Sequence, residues 1–526
     1  MQKGLGTLTV KLRDWIGPRR RLLLLSLSIA AGAGLVLFLL LRLLLQPPKP
    51  VPDLYEQGRA LYQDGNYSSA IETLRREALQ HPTRQEARLL LAQSFVALHQ
   101  WSAAQGYLKE RLVALPQDGP AIYWLGRALY GAGRTAEAER SWQALLDRNE
   151  PLLKSRAGLA LADMHYKLGD YDLAARLLYQ ALVTHEPLEP AEEQQAHYLY
   201  GLLLARDQRF EDAITQLQQA TEIKANSLWA KNGPLQNRLE QTSEHARPLL
   251  SNLPQVAKEK LEVVRRAKLA YALVLAEEYG PAEEHLAQVL KLVPNFVDAR
   301  AYIGLVYWRT GRVSQAITAL TYAINQEPKN RLARQTLAEI YTERVQNFQP
   351  ELGTTQQTKT ESEQARRLLE SLLSERPEDV LLLVDMARLY VALREYDLAE
   401  GFYYLAIKAN KDKPVIGVNP EAMLTRFYAE TGFDPCKRGL MAGGEVVKNV
   451  PQDAESWYSY GLAYAFCHKP AEAALQLEKA LSLRPNWPAA TYRLALAYQE
   501  MGRQTEATIL FAHTSDLDPA TNWSRP

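Results

Sequence analysis

Apolar residues recur at helical spacing through most of the chain, and residues 299–328 (ARAYIGLVYWRTGRVSQAITALTYAINQEP) show the pattern clearly. The first half of this segment predicts one helical face, formed by Ile303, Gly304 and Tyr307. Gly311 interrupts the pattern, and a second face follows with Ala316, Leu320 and Ala323. The segment therefore predicts an antiparallel helix pair, whose apolar faces must be covered by neighbouring pairs.

The same unit repeats with a period of about 34 residues. Prolines at this interval are Pro82 and Pro116, Pro294 and Pro328, and Pro451, Pro485 and Pro519. Alanines at this interval are Ala70, Ala104 and Ala138, Ala282 and Ala316, Ala365 and Ala399, and Ala473 and Ala507. A third series of small residues includes Gly58, Ala92, Gly126, Ala162, Gly201, Ala270, Gly304, Ala387, Gly461 and Ala495. The small residues predict close helix crossings, and the prolines predict where each second helix has ended.

These positions resemble the tetratricopeptide repeat, in which an aromatic residue, Leu-Gly, Tyr, Ala and Pro stand at fixed places. One unit matches with Trp124, Leu125, Gly126, Leu129, Ala138, Trp142 and Leu145. Another matches with Trp457, Gly461, Tyr464, Ala473, Leu477, Ala480 and Pro485. The resemblance implies an all-α solenoid of about twelve helix pairs, wound as a right-handed superhelix.

Two blocks of regular repeats are predicted, five repeats in residues 54–225 and seven in residues 261–519. Residues 226–260 between the blocks contain three prolines and predict an irregular segment or a degenerate repeat. Residues 346–362 (QNFQPELGTTQQTKTES) form a polar insertion, which predicts a loop between the two helices of one repeat. Residues 520–526 form a short tail.

An apolar segment precedes the repeats. Residues 22–41 contain ten leucines and no charge, and a helix of this length spans the ~30 Å hydrocarbon core at about 1.5 Å per residue. With the interfacial residues that follow, the segment predicts a transmembrane helix at 22–45 that acts as a signal-anchor. The alternative is a cleaved signal peptide, but the small residues that would mark its cleavage lie in the middle of this segment.

The charges on either side of this segment predict its orientation. Residues 1–21 carry six Lys or Arg and one acidic residue, so the positive-inside rule places this basic N-terminus in the cytoplasm. Residues 46–53 are rich in proline and predict a stiff linker. We therefore expect a single-pass membrane protein of a bacterial envelope, with its repeats outside the cytoplasm.

Composition and motifs disfavour several function classes. The formal net charge is +1, without the basic excess typical of nucleic-acid-binding proteins. The chain contains no P-loop, H-E-x-x-H, G-x-S-x-G or C-x-x-C motif. Its two cysteines and nine scattered histidines do not indicate a metal site. We expect a protein that is not an enzyme and has no catalytic residues, cofactor or metal.

The resemblance implies that protein or peptide partners bind in a concave groove lined by the first helices of the repeats. The residues expected to line it in the first repeats are Tyr55, Arg59, Tyr62, Tyr123, Arg127, Tyr130, Tyr166 and Tyr198. Tyr and Arg often anchor interfaces, although tyrosine also simply covers helix stems. Family members that bind chaperone tails carry an asparagine directly after the small residue, and no repeat here does. A carboxylate clamp of that kind is therefore not expected.

The two cysteines, Cys436 and Cys467, are predicted to form a disulfide bond, because an extracytoplasmic chain is oxidised. Cys436 opens the second helix of one unit and Cys467 closes the first helix of the next. These helices are antiparallel neighbours in a stacked array, so the two α-carbons are expected within the ~4.4–6.8 Å that a bridge needs. Two buried, unpaired thiols are the alternative.

The sequence favours a non-enzymatic scaffold or assembly factor that holds partner proteins near the membrane. Two alternatives remain open at this point. One alternative is a chaperone-like receptor for exported or unfolded clients. The other is a regulator of an enzyme that makes envelope polysaccharide.

Overall fold

The computed structural model describes residues 53–148, 150–183, 188–223, 234–347, 356–415 and 417–518. Residues Met1–Gln57 and Gly58–Pro526 form two separate compact units. The predicted cytoplasmic segment 1–21 and transmembrane helix 22–45 lie outside the described residues, as do nearly all of the linker and the tail. Within the described ranges, no helix combines the length and apolar character needed to cross a membrane.

The described residues form twelve helix pairs and one unpaired helix, with no strands. The pairs before the unpaired helix are α1 (Leu54–Gln63) with α2 (Tyr67–Gln80), α3 (Gln85–Ala97) with α4 (Trp101–Ala114), α5 (Gly119–Gly131) with α6 (Thr135–Leu146), α7 (Pro151–Leu168) with α8 (Tyr171–Val183), and α9 (Pro190–Arg206) with α10 (Phe210–Glu222). The unpaired helix is α11 (Pro234–Lys258).

Seven further pairs follow. They are α12 (Glu262–Leu275) with α13 (Tyr279–Leu292), α14 (Val297–Arg309) with α15 (Val313–Gln326), α16 (Arg331–Gln346) with α17 (Gln356–Glu375), α18 (Val380–Ala392) with α19 (Tyr396–Asp412), α20 (Pro420–Thr431) with α21 (Leu440–Asn449), α22 (Ala454–Phe466) with α23 (Pro470–Leu483), and α24 (Pro488–Glu500) with α25 (Gln504–Leu517). The all-α solenoid and its helix pairing are therefore confirmed.

The small residues allow the two helices of a pair to cross closely. A β-carbon added at Gly304 would lie only 2.7 Å from Cγ of Leu320 on the partner helix. At Gly126 it would lie 2.3 Å from Nε1 of Trp142. Both large side chains are almost completely buried. These two positions need glycine because a bulky side chain of the second helix fills the space that a β-carbon on the first helix would occupy.

The segment between the two blocks of repeats is a single long helix. α11 is 25 residues long and contains both Pro248 and Pro254, each of which removes one backbone hydrogen bond from a helix interior. Its apolar side chains are nevertheless buried, including Leu249 and Leu253, and it packs on α9, α10 and α12. Packing therefore keeps residues 234–258 helical where the prolines suggested irregularity, and among the described residues no second helix pairs with α11.

The polar insertion 346–362 is only partly a loop. Its residues 348–355 lie outside the described ranges, but α17 begins at Gln356, so the last seven residues of the insertion are helical. Thr358 and Glu361 in this part are buried. Glu361 also pairs with Arg344 of α16 at 3.0 Å. These contacts stabilise the extra helical turns despite their polar sequence.

The pair α20–α21 is the least regular. A turn of π-helix, Pro435–Gly439, precedes α21 and starts from Asp434, whose φ is +52°. Cys436 lies in this turn and forms a disulfide bond with Cys467, which follows the last residue of α22. Their α-carbons are 5.4 Å apart. The bond therefore joins the start of one second helix to the end of the next first helix.

The two ends of the Gly58–Pro526 unit are in contact, because α25 packs on α2. Asp516 of α25 accepts hydrogen bonds from the backbone nitrogen of Ser68 at 3.2 Å and from its hydroxyl at 2.7 Å. The residue before α2, Asn66, makes no side-chain capping bond. A carboxylate from the far end of the chain thus takes the capping role at this helix N-terminus.

Candidate interaction surface

We call the face formed by the first helices of the pairs the groove face. Among the residues predicted to line it, Tyr123 and Tyr198 are buried, Arg59 and Arg127 are exposed, and the remaining tyrosines are half-buried. Tyr55 belongs to the Met1–Gln57 unit. The predicted residues therefore differ widely in how much of each side chain a partner can reach.

Two of the predicted tyrosines share one carboxylate of the same chain. The hydroxyls of Tyr166 and Tyr198 donate hydrogen bonds to the two carboxylate oxygens of Glu278, at 2.6 and 2.7 Å. Burial raises the pKa of Glu278, and the two tyrosine hydroxyls oppose this shift. Burial and the nearby carboxylate raise the pKa of both tyrosines. Both hydroxyls are already satisfied within the fold.

Further contacts surround Glu278. It follows Glu277, which has a φ of +62° in the turn between α12 and α13. Glu284 of α13 accepts two hydrogen bonds from the guanidinium of Arg206, at 2.9 and 3.0 Å. The pair that follows α11 thus packs against α7 and α9, and this part of the groove face is used for internal packing.

The predicted residues in the third pair surround a buried tryptophan. The ring of Tyr130 meets Trp142 edge-on, with centroids 5.9 Å apart, and the ammonium of Lys167 lies 5.8 Å from the Tyr130 ring centroid. The indole nitrogen of Trp142 donates to the backbone oxygen of Tyr123 at 3.1 Å. Tyr123 and Tyr130 therefore pack in this pair, while Arg127 projects from it.

A cavity of about 380 Å³ opens on the groove face of the second block. We call it the carboxylate cavity, and its lining residues are Trp308, Arg309, Glu339, Thr342, Glu343, Gln346, Asn347, Asp385 and Arg388. They come from the first helices of three successive pairs, α14, α16 and α18. The cavity is therefore a feature of the stacked array and not of any single repeat.

Two partly buried carboxylates lie together in this cavity. The side-chain amide of Gln335 donates to Oε1 of Glu339 at 3.2 Å and to Oδ2 of Asp385 at 3.4 Å. Burial raises the pKa of Glu339. Burial, and then the negative charge of Glu339, raise the pKa of Asp385 to about 7. The charges of Arg309 and Arg388 lower the pKa of Glu339, and that of Arg388 lowers the pKa of Asp385, but burial outweighs them at both carboxylates.

The rest of the lining is aromatic and basic. The indole nitrogen of Trp308 donates to Oε2 of Glu343 at 3.0 Å. The guanidinium of Arg309 lies 4.2 Å from the centroid of the Trp308 ring, as in a cation–π contact. Trp and Arg are the residue types most enriched in interface hot spots, so the cavity has the composition of a binding site.

A larger cavity of about 710 Å³ lies where α21 and the linker between α19 and α20 meet. Its charged groups are paired with one another: Lys411 lies 3.7 Å from Glu421, and Arg426 pairs with Glu455. Asn449 also donates to Glu421 at 3.2 Å. Because internal contacts satisfy these groups, they give no chemical indication of a ligand.

In the part of the chain that the structure describes, no three His, Cys, Asp or Glu side chains are arranged to hold a metal ion. Sequence analysis did not identify the carboxylate cavity. Glu339 and Arg388 do stand directly after the small residue of their repeats. Asp385 lies three residues earlier than Arg388, and its sequence position alone gives no sign of Glu339 beside it.

Family models match most of the regular repeats. A model described as tetratricopeptide repeat matches residues 89–145, 123–190, 159–227, 267–331 and 351–414. A second model of that description matches residues 454–486. Together these matches cover more than half of the chain. A model described as anaphase-promoting complex, cyclosome, subunit 3 matches residues 37–110.

Individual relatives are distant. Human tetratricopeptide repeat protein 21B is 27% identical over 157 residues, which are 29% of this chain and 12% of that protein. The chain thus spans about an eighth of the length of this curated relative.

Solved structures resemble this chain at low identity. The APC/C hetero-tetramer Cut9-Hcn1 matches with a TM-score of 0.36 and 16% identity, covering 84% of this chain and 96% of the other. Yeast Tom70 matches with a TM-score of 0.35 and 14% identity, covering 86% and 96%. A tetratricopeptide repeat protein of Parabacteroides merdae matches with a TM-score of 0.38 and 17% identity, covering 49% and 93%.

Proposed function

Because this chain belongs to the tetratricopeptide repeat family, whose members typically mediate protein–protein interaction or assembly, we propose that it is a protein-binding scaffold. Its partner is a protein segment that lies on the groove face of the second block of repeats. The chain's own residues perform no catalysis in this role, and partner binding is its whole activity.

The observation that supports this proposal is the carboxylate cavity. It lies on the groove face, three successive repeats build it, and it combines an aromatic side chain with charged groups of both signs. Its volume of about 380 Å³ is within the range of specific ligand pockets. By contrast, the groove face near Glu278 is filled by contacts within the chain.

The experiment is site-specific photocrosslinking in the native membrane. A photoreactive residue replaces Gln346, an exposed residue that lines the cavity. The matched control replaces Gln315, an exposed glutamine on the second helix α15. We expect a discrete crosslinked protein from position 346 and none from position 315. Equal yields at the two positions, or none at either, would contradict a partner in the groove.

The same experiment separates scaffold from chaperone. A scaffold or assembly factor gives one or two crosslinked partners in fixed proportion to the chain. A chaperone-like receptor gives a broad distribution of exported chains, because its clients share no sequence. A single partner that is an enzyme of envelope polysaccharide would identify the protein as a regulator of that enzyme.

We further propose that residues 22–45 anchor the protein in a membrane, with the repeats outside the cytoplasm. The support is the length of the uncharged segment and the basic residues that precede it. An alkaline phosphatase fused after Pro526 should then be active. Activity from a cytoplasmic reporter at the same place would reverse the orientation. Replacing Arg19, Arg20 and Arg21 with neutral residues should weaken it.

A further inference from the structure

The carboxylate cavity contains two acidic groups, Glu339 and Asp385, that are not in ion pairs although Arg309 and Arg388 line the same cavity. Glu339 and Asp385 accept from the same amide nitrogen of Gln335, so the two carboxylates lie on either side of that amide. Within the described residues, neither forms an ion pair. The charge of Arg388 acts on both carboxylates and that of Arg309 acts on Glu339, yet no hydrogen bond joins either arginine to them.

Two arginines of the same block are paired differently. On the same helix α16, Arg334 is almost fully buried and pairs with Glu375 at 2.9 Å. One pair earlier, both guanidinium nitrogens of Arg312 donate to Glu283, at 2.8 and 2.6 Å. These two arginines are thus paired with carboxylates of the chain itself, whereas Glu339 and Asp385 are not. Partly buried charges normally have a partner.

We propose that this cavity binds a lysine or arginine side chain of the partner protein, whose cationic group lies between Glu339 and Asp385. The inference rests on the proposed function, since it specifies the chemistry of the segment that the groove face holds. Charge complementarity identifies the occupant. The cation takes the place of the missing counter-charge, and the ring of Trp308 covers its aliphatic stem.

Other occupants fit less well. An acidic side chain would add a fourth negative charge to Glu339, Glu343 and Asp385, which already outnumber the two arginines of the lining. Like charges at such distances repel by several kcal/mol in interfaces. An apolar side chain would displace water from both carboxylates and leave them without compensation. Within the described residues, no three His, Cys, Asp or Glu side chains are placed to hold a metal ion, so the two carboxylates give no indication of one.

The test uses the full chain, purified in detergent, and two capped tetrapeptides, one of arginine and one of citrulline. Citrulline has nearly the shape of arginine but no charge. Isothermal titration should show that the arginine peptide binds and that binding weakens as salt is added. The citrulline peptide should bind at least about tenfold more weakly, which corresponds to about 1.4 kcal/mol.

The variant that removes the site is Glu339→Gln with Asp385→Asn. A matched control, Glu472→Gln with Glu500→Gln, removes the same charge from exposed positions in other repeats. We expect the first variant to lose at least about tenfold in affinity for the arginine peptide, while the control changes less than twofold. In a second variant, Asp385→Lys, the chain supplies its own cation, and binding should be abolished.

Binding should also release protons. Burial and the charges of Glu339 and Asp379 raise the pKa of Asp385, while the charge of Arg388 and the hydrogen bond from Gln335 lower it. Because its pKa is about 7 in the free protein, part of the population is protonated at neutral pH. A bound cation favours the charged form. The measured enthalpy at pH 7 should therefore vary with the ionisation enthalpy of the buffer.

Two results overturn the inference. One is equal binding of the arginine and citrulline peptides, and the other is an equal effect of the cavity variant and the control variant. If position 346 still crosslinks to a partner, the proposed scaffold function stands and only its chemistry is wrong. If position 346 captures no partner, the proposed function fails independently of the peptide result.

Discussion

The close crossing of α5 and α6 gives a sharp test of the packing argument. Gly126 faces Trp142, and a β-carbon at Gly126 would lie 2.3, 2.7 and 2.8 Å from three atoms of the indole ring. Gly158 on α7 is also in the middle of a first helix, but a β-carbon there would lie 3.5 Å from the nearest atom, Cβ of Ala181. Alanine should therefore be costly at the first site and harmless at the second.

The magnitudes follow from these contacts. Replacing Gly by Ala inside a helix stabilises it by about 1 kcal/mol. At Gly126 this gain is opposed by overpacking, about 1–3 kcal/mol. It is also opposed by strain on the bond from Trp142 to the Tyr123 carbonyl, about 0.5–1.5 kcal/mol. We expect Gly126→Ala to destabilise its pair by roughly 1–3 kcal/mol, and Gly158→Ala to stabilise by up to about 1 kcal/mol.

The measurement is native-state hydrogen exchange followed by mass spectrometry, because an array of many repeats does not unfold in one two-state step. Peptides that cover α5 and α6 should exchange roughly 5- to 140-fold faster in Gly126→Ala than in the wild type, since 1.4 kcal/mol corresponds to tenfold. Peptides that cover α7 and α8 should be unchanged or slower in Gly158→Ala. If hydrogen exchange changes equally in the two variants, close contact with Trp142 is not the reason that position 126 needs glycine.

Three further predictions concern other parts of the array. Replacing Cys436 and Cys467 with serine removes a bond between residues 31 positions apart in sequence, which should destabilise the protein by roughly 3–4 kcal/mol in the chain-entropy model. Hydrogen exchange should become faster in α20–α22 only. Two titratable thiols in the protein purified without reductant would contradict the bond. Burial and the charge of Arg266 lower the pKa of His285 to about 4. The contribution of neutral His285 to stability is therefore complete above pH 6.5, and about 3 kcal/mol is lost as the pH falls toward 4. His285→Gln should reduce the fall in melting temperature at acid pH, and an unchanged fall would mean that other groups cause it. Asp516→Ala should speed exchange in both α25 and the first turn of α2, which are far apart in sequence, whereas a change in α25 alone would show that the two ends are not in contact.

The helix pairs could be predicted because each depends on residues within one 34-residue unit. Gly304 and Leu320 lie 16 positions apart, so the periodicity within one repeat predicts their contact. The contact of Tyr166 with Glu278 joins residues 112 positions apart. It depends on the path of the chain through α11, and the repeat periodicity does not predict that path. The carboxylate cavity was missed for the same reason, because Asp385 meets Glu339 only after two repeats stack.

α11 also shows what could not be predicted from the sequence. Its two internal prolines predict a broken segment, since each costs about 3 kcal/mol in a helix interior. The burial of side chains such as Leu249 and Leu253 outweighs that cost. The balance depends on surface supplied by α9, α10 and α12, and so it cannot be read from the segment alone.

The contact between α2 and α25 changes how this array is expected to unfold. In an open array of repeats, each unit touches only its neighbours, so the terminal units fray first and unfolding moves inward. Here Asp516 joins Ser68 across 448 residues of sequence, and neither terminal pair can detach without breaking its contact with the other. That contact forms only when every intervening pair is in place, so it makes the cooperativity of the whole array depend on its least stable repeat.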